Sequence, residues 1–386
     1  MRVLYVNHTS LVSGAERSLL TLLCAVDREE VAGLACPPGP LAQRAAGLGV
    51  PVHEIAGTTG SFQLHPRRTA IAVAEMARMG LQLRRIARRA AADLLHANSV
   101  RAGLAGAIAR DEGRLPLVVH VRDCLPDSRA GRAVRGVLCA RSDRLIAISR
   151  YVEAGFAGRE PSPSLRGKLR VLENPVDLSR FESRQRNGGA ERAATLAIIG
   201  QITRWKGHDT IVKALRSVRA RFPEVRLQVV GEVKFVDAST RLDNRGFLVE
   251  LERLVEELGL SDAVQFLGER EDVPQIMAAA AAVLVPSIEE PFGRTVAEAM
   301  AIGTPVIATT VGGPAELIED GVSGTLAPPG DPEAWAEAIA RLLGDPQRAQ
   351  RMAKRASEQA RRRFDVNAHV AALSEIYAQL SAGPGR

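Results

Sequence analysis

Two carboxylates eight positions apart, Glu290 and Glu298, stand in the run Val285-Pro286-Ser287-Ile288-Glu289-Glu290-Pro291-Phe292-Gly293-Arg294-Thr295-Val296-Ala297-Glu298-Ala299-Met300, which reads as strand, loop and helix. Pro291 and Gly293 break the chain, and the helix is expected to start near Arg294-Thr295, leaving the N–H groups of Gly293 to Val296 without intrahelical acceptors. Such a helix start takes a phosphate through its unpaired amides and the positive end of its dipole. With one carboxylate on the loop and the other on the second turn, the pair can bracket one elongated polyhydroxylated ligand, each accepting hydrogen bonds from neighbouring hydroxyls. A lone carboxylate on a helix is ordinarily a solvated surface group, so the surrounding sequence must decide.

Other chemistries are missing. Gly167-Lys168 is followed by Leu169 and lacks the upstream glycine of a phosphate loop; no Gly-x-Gly-x-x-Gly follows the first strand, and His-Glu-x-x-His does not occur. Gly321-Val322-Ser323-Gly324 is not a nucleophile elbow, Asp-x-Asp is absent, and seven scattered histidines offer no metal-ligand spacing. A metal-free mechanism with no cofactor is expected. With two Trp and three Tyr the chain makes a poor stacking platform for nucleic acid.

Short β-branched runs alternate with stretches of helical period, the pattern of an α/β protein with doubly wound parallel sheets. Strands are expected near 2–7, 31–36, 93–97, 116–121 and 144–149, then near 195–200, 225–230, 263–267, 282–286, 304–308 and 323–327. Between the two sets lies a polar stretch without an apolar face, so the reading is a first domain over 1–175, a linker over 176–192 and a second domain over 193–365. Ligands of such sheets bind beyond the carboxyl ends of the strands, which puts a site in a cleft between two facing domains.

At 386 residues, 46% hydrophobic and 25% charged, the chain is too long for one ordinary core and too apolar for disorder. No run is long and apolar enough to span a bilayer, and the N-terminus reads as a strand, so a cytoplasmic protein is expected. Cys24, Cys36, Cys124 and Cys139 sit singly in apolar segments and read as small buried hydrophobes. The net charge of +7 is uneven: residues 1–185 carry 27 basic against 17 acidic side chains, the rest 24 against 27. That imbalance points to an anionic partner of the first half, although arginines that merely solvate helices would give the same count. Residues 67–95 form a basic helical region, with Arg67, Arg68, Arg78, Arg84, Arg85, Arg88 and Arg89 among Ile71, Val73, Leu81 and Leu83. It fits peripheral binding to an anionic membrane at the inner face of the plasma membrane, or a helix packed on the sheet by the same apolar residues.

Glu290 to Glu298 resembles the E-x7-E motif of the retaining GT-B glycosyltransferases of family 4. The resemblance extends through Ile199-Gly200-Gln201-Ile202-Thr203-Arg204-Trp205-Lys206-Gly207-His208, Phe266-Leu267-Gly268-Glu269-Arg270, Val311-Gly312-Gly313-Pro314-Ala315-Glu316 and Glu319-Asp320-Gly321-Val322-Ser323-Gly324 with Pro328-Pro329-Gly330-Asp331-Pro332. In the first half it is looser, at Val12-Ser13-Gly14-Ala15-Glu16, Ile146-Ala147-Ile148-Ser149 and Leu172-Glu173-Asn174-Pro175-Val176-Asp177. It implies a GT-B fold of two Rossmann-like domains that close over a donor, with the helix near 366–380 returning to the first domain.

The resemblance also implies roles. Glu298 would hold the ribose hydroxyls of a nucleotide-sugar and Glu290 the transferred sugar. Phe292, Gly293, Arg294 and Thr295 would lie along sugar and diphosphate. Lys206 would ion-pair with the diphosphate, and Gly14 would let backbone approach the donor. The base would lie against the backbone around Gly268 to Arg270. Three departures stand out. Gln201 replaces the usual arginine after Gly200, so Arg204 would supply the second positive charge. Ser13-Gly14 replaces a Gly-Gly pair. Arg122-Asp123 replaces a His-Asp pair, with His120 two residues earlier on the same face of the strand; Asn98, Arg122 and Asp123 would lie on the acceptor side. An arginine cannot serve as a base at neutral pH.

The resemblance therefore implies a retaining transferase that moves a hexosyl group from a UDP- or GDP-sugar to a hydroxyl of a glycan, lipid-linked or small-molecule acceptor. The catalytic set would be Glu290, Lys206, Arg204 and His120. Alternatives on the same scaffold are a disaccharide phosphorylase, a sugar-nucleotide epimerase, or a catalytically weakened nucleotide-sugar-binding subunit.

Overall fold

The computed structural model describes residues 1–58, 66–110, 115–158, 161–178, 194–234 and 244–381. The chain divides into two units, one of Met1–Pro175 with Val366–Arg386 and the other of Val176–Asp365. Each is built on one parallel sheet. Parallel strands are covered on both faces, which is why these read as near-continuous apolar runs rather than alternating ones; all six residues of Val31–Cys36 are buried.

The first sheet contains β1 (Val3–Val6), β2 (Val31–Cys36), β3 (Val52–Glu54), β4 (Leu94–Ala97), β5 (Leu117–Val121), β6 (Arg144–Ala147) and β7 (Leu169–Val171), in the order β3-β2-β1-β4-β5-β6-β7. The second contains β8 (Thr195–Ile199), β9 (Arg226–Val230), β10 (Val264–Gly268), β11 (Ala282–Val285), β12 (Val306–Thr309) and β13 (Thr325–Ala327), in the order β10-β9-β8-β11-β12-β13. The order reverses between β1 and β4 and again between β8 and β11. At such a reversal successive loops diverge to opposite faces and leave a crevice at the carboxyl ends of the strands. Two of these strands, β3 and β7, escape the sequence reading, because three residues at a sheet edge are too few to show a period.

In the first unit one sheet face is covered by the helices Gly14–Ala25 and Val366–Ser381, whose Leu19, Leu23, Leu373 and Tyr377 pack with Tyr5, Leu94 and Val118. Cys24, expected inside, is exposed, while Leu22 and Leu23 take the inward positions of its helix. The basic helix runs Pro66–Arg89 and stops there because Ala91 turns left-handed (φ 47°) and Asp93 pairs with Arg2, its N–H donating to the Arg2 carbonyl at 2.8 Å. Its Ala72, Met79, Leu83 and Ala87 face inward, whereas Ile71, Val73 and Leu81 are 58%, 60% and 56% exposed.

The second core gathers Leu196, Ile198, Ile211, Leu227, Leu284 and the fully buried Trp335, whose indole N–H donates to the Pro328 carbonyl at 2.9 Å. That bond removes the cost of burying the indole's polar end. Of the expected linker, Val176 to Leu178 are described, with Val176 N–H donating to the Phe364 carbonyl at 3.0 Å; residues 179–193 lie outside the described residues. Among the described residues no helix is long and apolar enough to cross a membrane.

Candidate functional site

In the second unit the two loops flanking the reversal point are laced together. The loop after β8 makes a short 3-10 turn, Arg204–Lys206, before the helix His208–Arg219. The loop after β11 runs from Pro286 to Gly293 and enters the helix Arg294–Ile302. Ile288 N–H donates to the Trp205 carbonyl at 2.8 Å, and Thr295 Oγ1 to the Ile199 carbonyl at 3.3 Å. Gly293 is left-handed (φ 91°), a conformation that admits glycine without strain and turns the chain abruptly into the helix. From below, the loop after β12 holds Glu290: Gly313 N–H donates to the Glu290 carbonyl at 2.8 Å, and a Cβ on Gly312 would lie 2.1 Å from that oxygen.

This scaffold places three side chains in contact. Lys206 Nζ donates to Glu290 Oε2 at 2.5 Å, and Ser287 Oγ donates to the same oxygen at 3.0 Å. The Lys206 ammonium also stands 4.6 Å from the Trp205 ring centroid. Lys206 and Glu290 are 20% and 12% exposed, so their attraction is screened little, yet both retain access to a ligand. Among the described residues nothing donates to Glu290 Oε1, which leaves it for a hydroxyl, and the ammonium has two further N–H groups for an anion. One turn into the helix, Arg294 Nε donates to Glu298 Oε1 at 2.7 Å. The motif's two carboxylates thus each carry a cation, one from a distant loop and one from four residues back.

The other expected donor residues distribute as follows. Phe292 is buried, edge-on to Phe364 at 6.0 Å between centroids, and packs rather than faces a ligand. Gln201 is half-buried in the loop after β8. Gly268 ends β10 with φ 65° and accepts from Gly231 N–H at 2.8 Å, while the exposed Arg270 is held by Asp272 at 2.8 Å. Arg204 departs from expectation: it pairs with Glu250, its guanidinium 5.1 Å from the Phe247 ring, on the flank formed by the helix Asn244–Glu257. That helix, distant in sequence, captures the side chain.

The first unit corrects two further expectations. His120 is 1% exposed, its Nδ1 2.7 Å from His96 Nε2 and its ring stacked on His369 at 6.4 Å. His96 Nδ1 in turn meets the hydroxyl of Tyr377. The strand face carrying His120 is the one roofed by the C-terminal helix, so the ring points into the core. Burial, then the nearby Arg122 guanidinium, holds the His120 pKa well below the usual value and that of His96 down to about 3. Arg122 is 7% exposed and serves the fold: Nε and Nη2 donate to Asn98 Oδ1 at 3.1 and 2.6 Å, and Nη1 to Asn174 Oδ1 at 2.6 Å. Asp123, one residue on, is exposed beside Arg101. Gly14 opens the helix Gly14–Ala25, and a Cβ there would meet nothing within 4 Å.

Ser287 contacts Glu290, Asn7 contacts Asn98 and Asn174 contacts Arg122, and none of the three is read as a site residue from the sequence. Ser287 has a local signal, a hydroxyl three residues before Glu290; the others come together only through strand order.

Comparison with known proteins supplies the relatives. The family model described as Glycosyl transferases group 1 matches residues 179–359, and that described as Glycosyltransferase Family 4 matches residues 12–180. A D-inositol 3-phosphate glycosyltransferase of Salinispora arenicola is 31% identical over 332 residues, covering 78% of this chain and 72% of its own. Its namesake in Saccharomonospora viridis is 32% identical over 313 residues, covering 75% and 70%. Among solved structures, Anabaena Alr3699/HepE in complex with UDP-glucose aligns with a TM-score of 0.81 at 27% identity over 98% of this chain and 100% of that one. A sucrose-phosphate synthase from Thermosynechococcus elongatus shares the fold, with a TM-score of 0.76 at 23% identity over 99% of each chain.

Proposed function

The chain belongs to the group 1, family 4 glycosyltransferases and has their GT-B fold, and from that premise we propose that it transfers a hexosyl group from a UDP-sugar with retention of configuration. The observation that carries the reading is the contact of Lys206 with Glu290 in front of the helix that begins at Arg294. Bound there, a diphosphate meets the two remaining N–H groups of Lys206 and the amides of the helix start. Glu290 Oε1 accepts from a sugar hydroxyl and fixes the ring, while Glu298 accepts from the ribose in place of Arg294.

The acceptor oxygen bonds to the anomeric carbon as the bond from that carbon to the phosphate oxygen breaks. The departing phosphate takes the hydroxyl proton on the same face, so no protein base or nucleophile is needed. Lys206 and the helix start carry the charge that develops on the diphosphate, the task of a preorganised electrostatic site. Arg204 and His120 have no part in this reading, and no resident metal is required. The Alr3699/HepE complex with UDP-glucose supports uridine over guanosine.

For the acceptor, we infer a polyol carrying a phosphate, the class named for the relatives. The excess of basic residues in the first half and the half-buried Arg101 at the β4 end support an anionic ligand there. The test is UDP release from UDP-glucose and UDP-N-acetylglucosamine, with and without EDTA, against inositol phosphate and inositol. Release that needs both a sugar donor and a phosphorylated acceptor and survives EDTA is expected; release dependent on inorganic phosphate would install the phosphorylase reading instead.

A second reading concerns location. Ile71, Arg78, Leu81, Arg85 and Arg88 recur at helical spacing on the exposed side of Pro66–Arg89, a mixed basic and apolar face suited to an anionic bilayer. On this reading the enzyme is cytoplasmic and docks peripherally through that face. Vesicles containing phosphatidylglycerol should retain the protein at low salt, and Leu81→Glu should release it; retention unaffected by that change removes the reading.

A further inference from the structure

Five buried polar side chains form one hydrogen-bonded line across the carboxyl ends of β1, β4 and β5. Ser13 N–H and Oγ donate to Glu16 Oε2 at 3.0 and 2.5 Å. Asn7 Nδ2 donates to Glu16 Oε1 at 3.2 Å, Asn98 Nδ2 to Asn7 Oδ1 at 2.9 Å, and Arg122 Nη2 to Asn98 Oδ1 at 2.6 Å. Arg122 Nη1 then donates to Asn174 Oδ1 at 2.6 Å, one residue before the first unit gives way to the second after Pro175. Glu16, Asn7, Asn98, Arg122 and Asn174 are all under a tenth exposed.

The line has a direction. Both amides point their NH2 toward the Glu16 carboxylate and their carbonyl oxygen toward the Arg122 guanidinium. A buried carboxylate and a buried cation are thereby joined through two amide dipoles aligned with the field between them, and each bond polarises the next. Reversing either amide would set like dipoles against a charge, so each orientation is fixed by both ends. At the carboxylate end lies Ser13-Gly14, the first loop, where a Cβ on Gly14 would meet nothing within 4 Å.

We propose that Arg122 is a positioning residue that sets the backbone of the first loop through Asn98, Asn7 and Glu16, rather than a residue that touches the sugar. The proposal rests on the transferase reading above, together with the expectation from the family resemblance that the backbone at Gly14 approaches the donor. It explains why arginine can stand at this position: the side chain is engaged by Asn98 and Asn174, and what reaches the ligand is the Ser13-Gly14 backbone.

The experiment is a double-mutant cycle with Arg122→Lys, which keeps charge but loses the planar fork, and Glu16→Gln, which keeps shape but loses charge. Transfer rates are corrected for folded fraction, and hydrogen exchange is followed over residues 11–18 without ligand. Each single change should lower kcat/KM about tenfold and speed exchange in the first loop about fivefold, with strands β2 and β3 unchanged; the double variant should lower kcat/KM about tenfold, not a hundredfold. Additive losses, or undisturbed exchange at residues 11–18 in Arg122→Lys, would overturn the proposal. Should Glu16→Gln fold poorly, Asn174→Ala tests the other end by the same exchange measurement. Wild-type protein that neither binds UDP nor releases it from UDP-sugars refutes the transferase reading, and that outcome is distinct from an active wild type with additive variants.

Discussion

Lys206 Nζ and Glu290 Oε2 lie 2.5 Å apart, although 84 residues separate them in the chain. In the proposed mechanism Glu290 orients the sugar and Lys206 meets the leaving diphosphate, so the two should fail differently. Lys206→Ala removes a charge that meets the bound diphosphate and counts most as the bond breaks, so UDP binding should weaken and kcat should fall by about 10²–10³, the ordinary effect of deleting one electrostatic donor of a preorganised site. Glu290→Gln should lower kcat comparably while UDP, which lacks the sugar, still binds within a fewfold of wild type. Single-turnover transfer and UDP titration calorimetry measure both; near-normal transfer by Glu290→Gln would remove the carboxylate from the mechanism.

Glu298 is paired with Arg294 four residues earlier, at 2.7 Å. Such a helical pair stabilises by only about 0.2–0.5 kcal/mol, so its loss should scarcely shift the melting temperature. If Glu298 exchanges this partner for the ribose, Glu298→Ala should weaken UDP binding at least tenfold, with little effect on stability. A variant that melts several degrees lower but binds UDP normally would make the pair a structural brace.

The local arrangement of the candidate donor site is legible because it is short-range: Glu290, Gly293, Arg294, Thr295 and Glu298 fall within nine consecutive residues of loop and helix. Lys206 is legible only through the motif that surrounds it, and the pairing of Arg204 with Glu250 is not legible at all, because that partner sits on a helix that no local pattern connects to it. The other half resists for the same physical reason. Asn7, Asn98, Arg122 and Asn174 end different strands, and nothing in their spacing says that those ends meet. Alternation along β5 correctly put His120 and Arg122 on one side. What it could not show is that a helix almost 250 residues later, carrying His369 and Tyr377, roofs that side.

Gly312 should be intolerant of a side chain. Its φ of 86° costs an L-residue about 1–2 kcal/mol, and the new Cβ would sit 2.1 Å from the Glu290 carbonyl oxygen, so the backbone bearing the site must move. Gly312→Ala should therefore lose at least about 2 kcal/mol of stability and most of kcat. Gly344→Ala, at the end of a helix with nothing within 4 Å, is the matched control and should be near neutral. Full activity in Gly312→Ala would mean the loop after β12 does not hold Glu290 in place.

Acid should destabilise the protein well before its carboxylates titrate. Burial, reinforced by Arg122, holds His96 down to about 3 and His369 to about 4, and burial with Lys206 nearby holds His208 to about 4; His120 is depressed as well. Each is neutral in the fold, whereas in the unfolded chain each takes a proton near 6.5. Below that pH the unfolded state binds more protons, so the stability contributed by the neutral rings is complete above about 6.5 and is withdrawn as pH falls toward 4 and then 3. The slope approaches about 1.4 kcal/mol per pH unit for each such histidine. Urea unfolding at pH 7.5, 6.5 and 5.5 should show a midpoint that falls with acid, and His369→Phe, which removes one buried base from beneath the C-terminal helix, should flatten that fall. A midpoint unchanged between 7.5 and 5.5 would mean that these rings reach water in the folded protein.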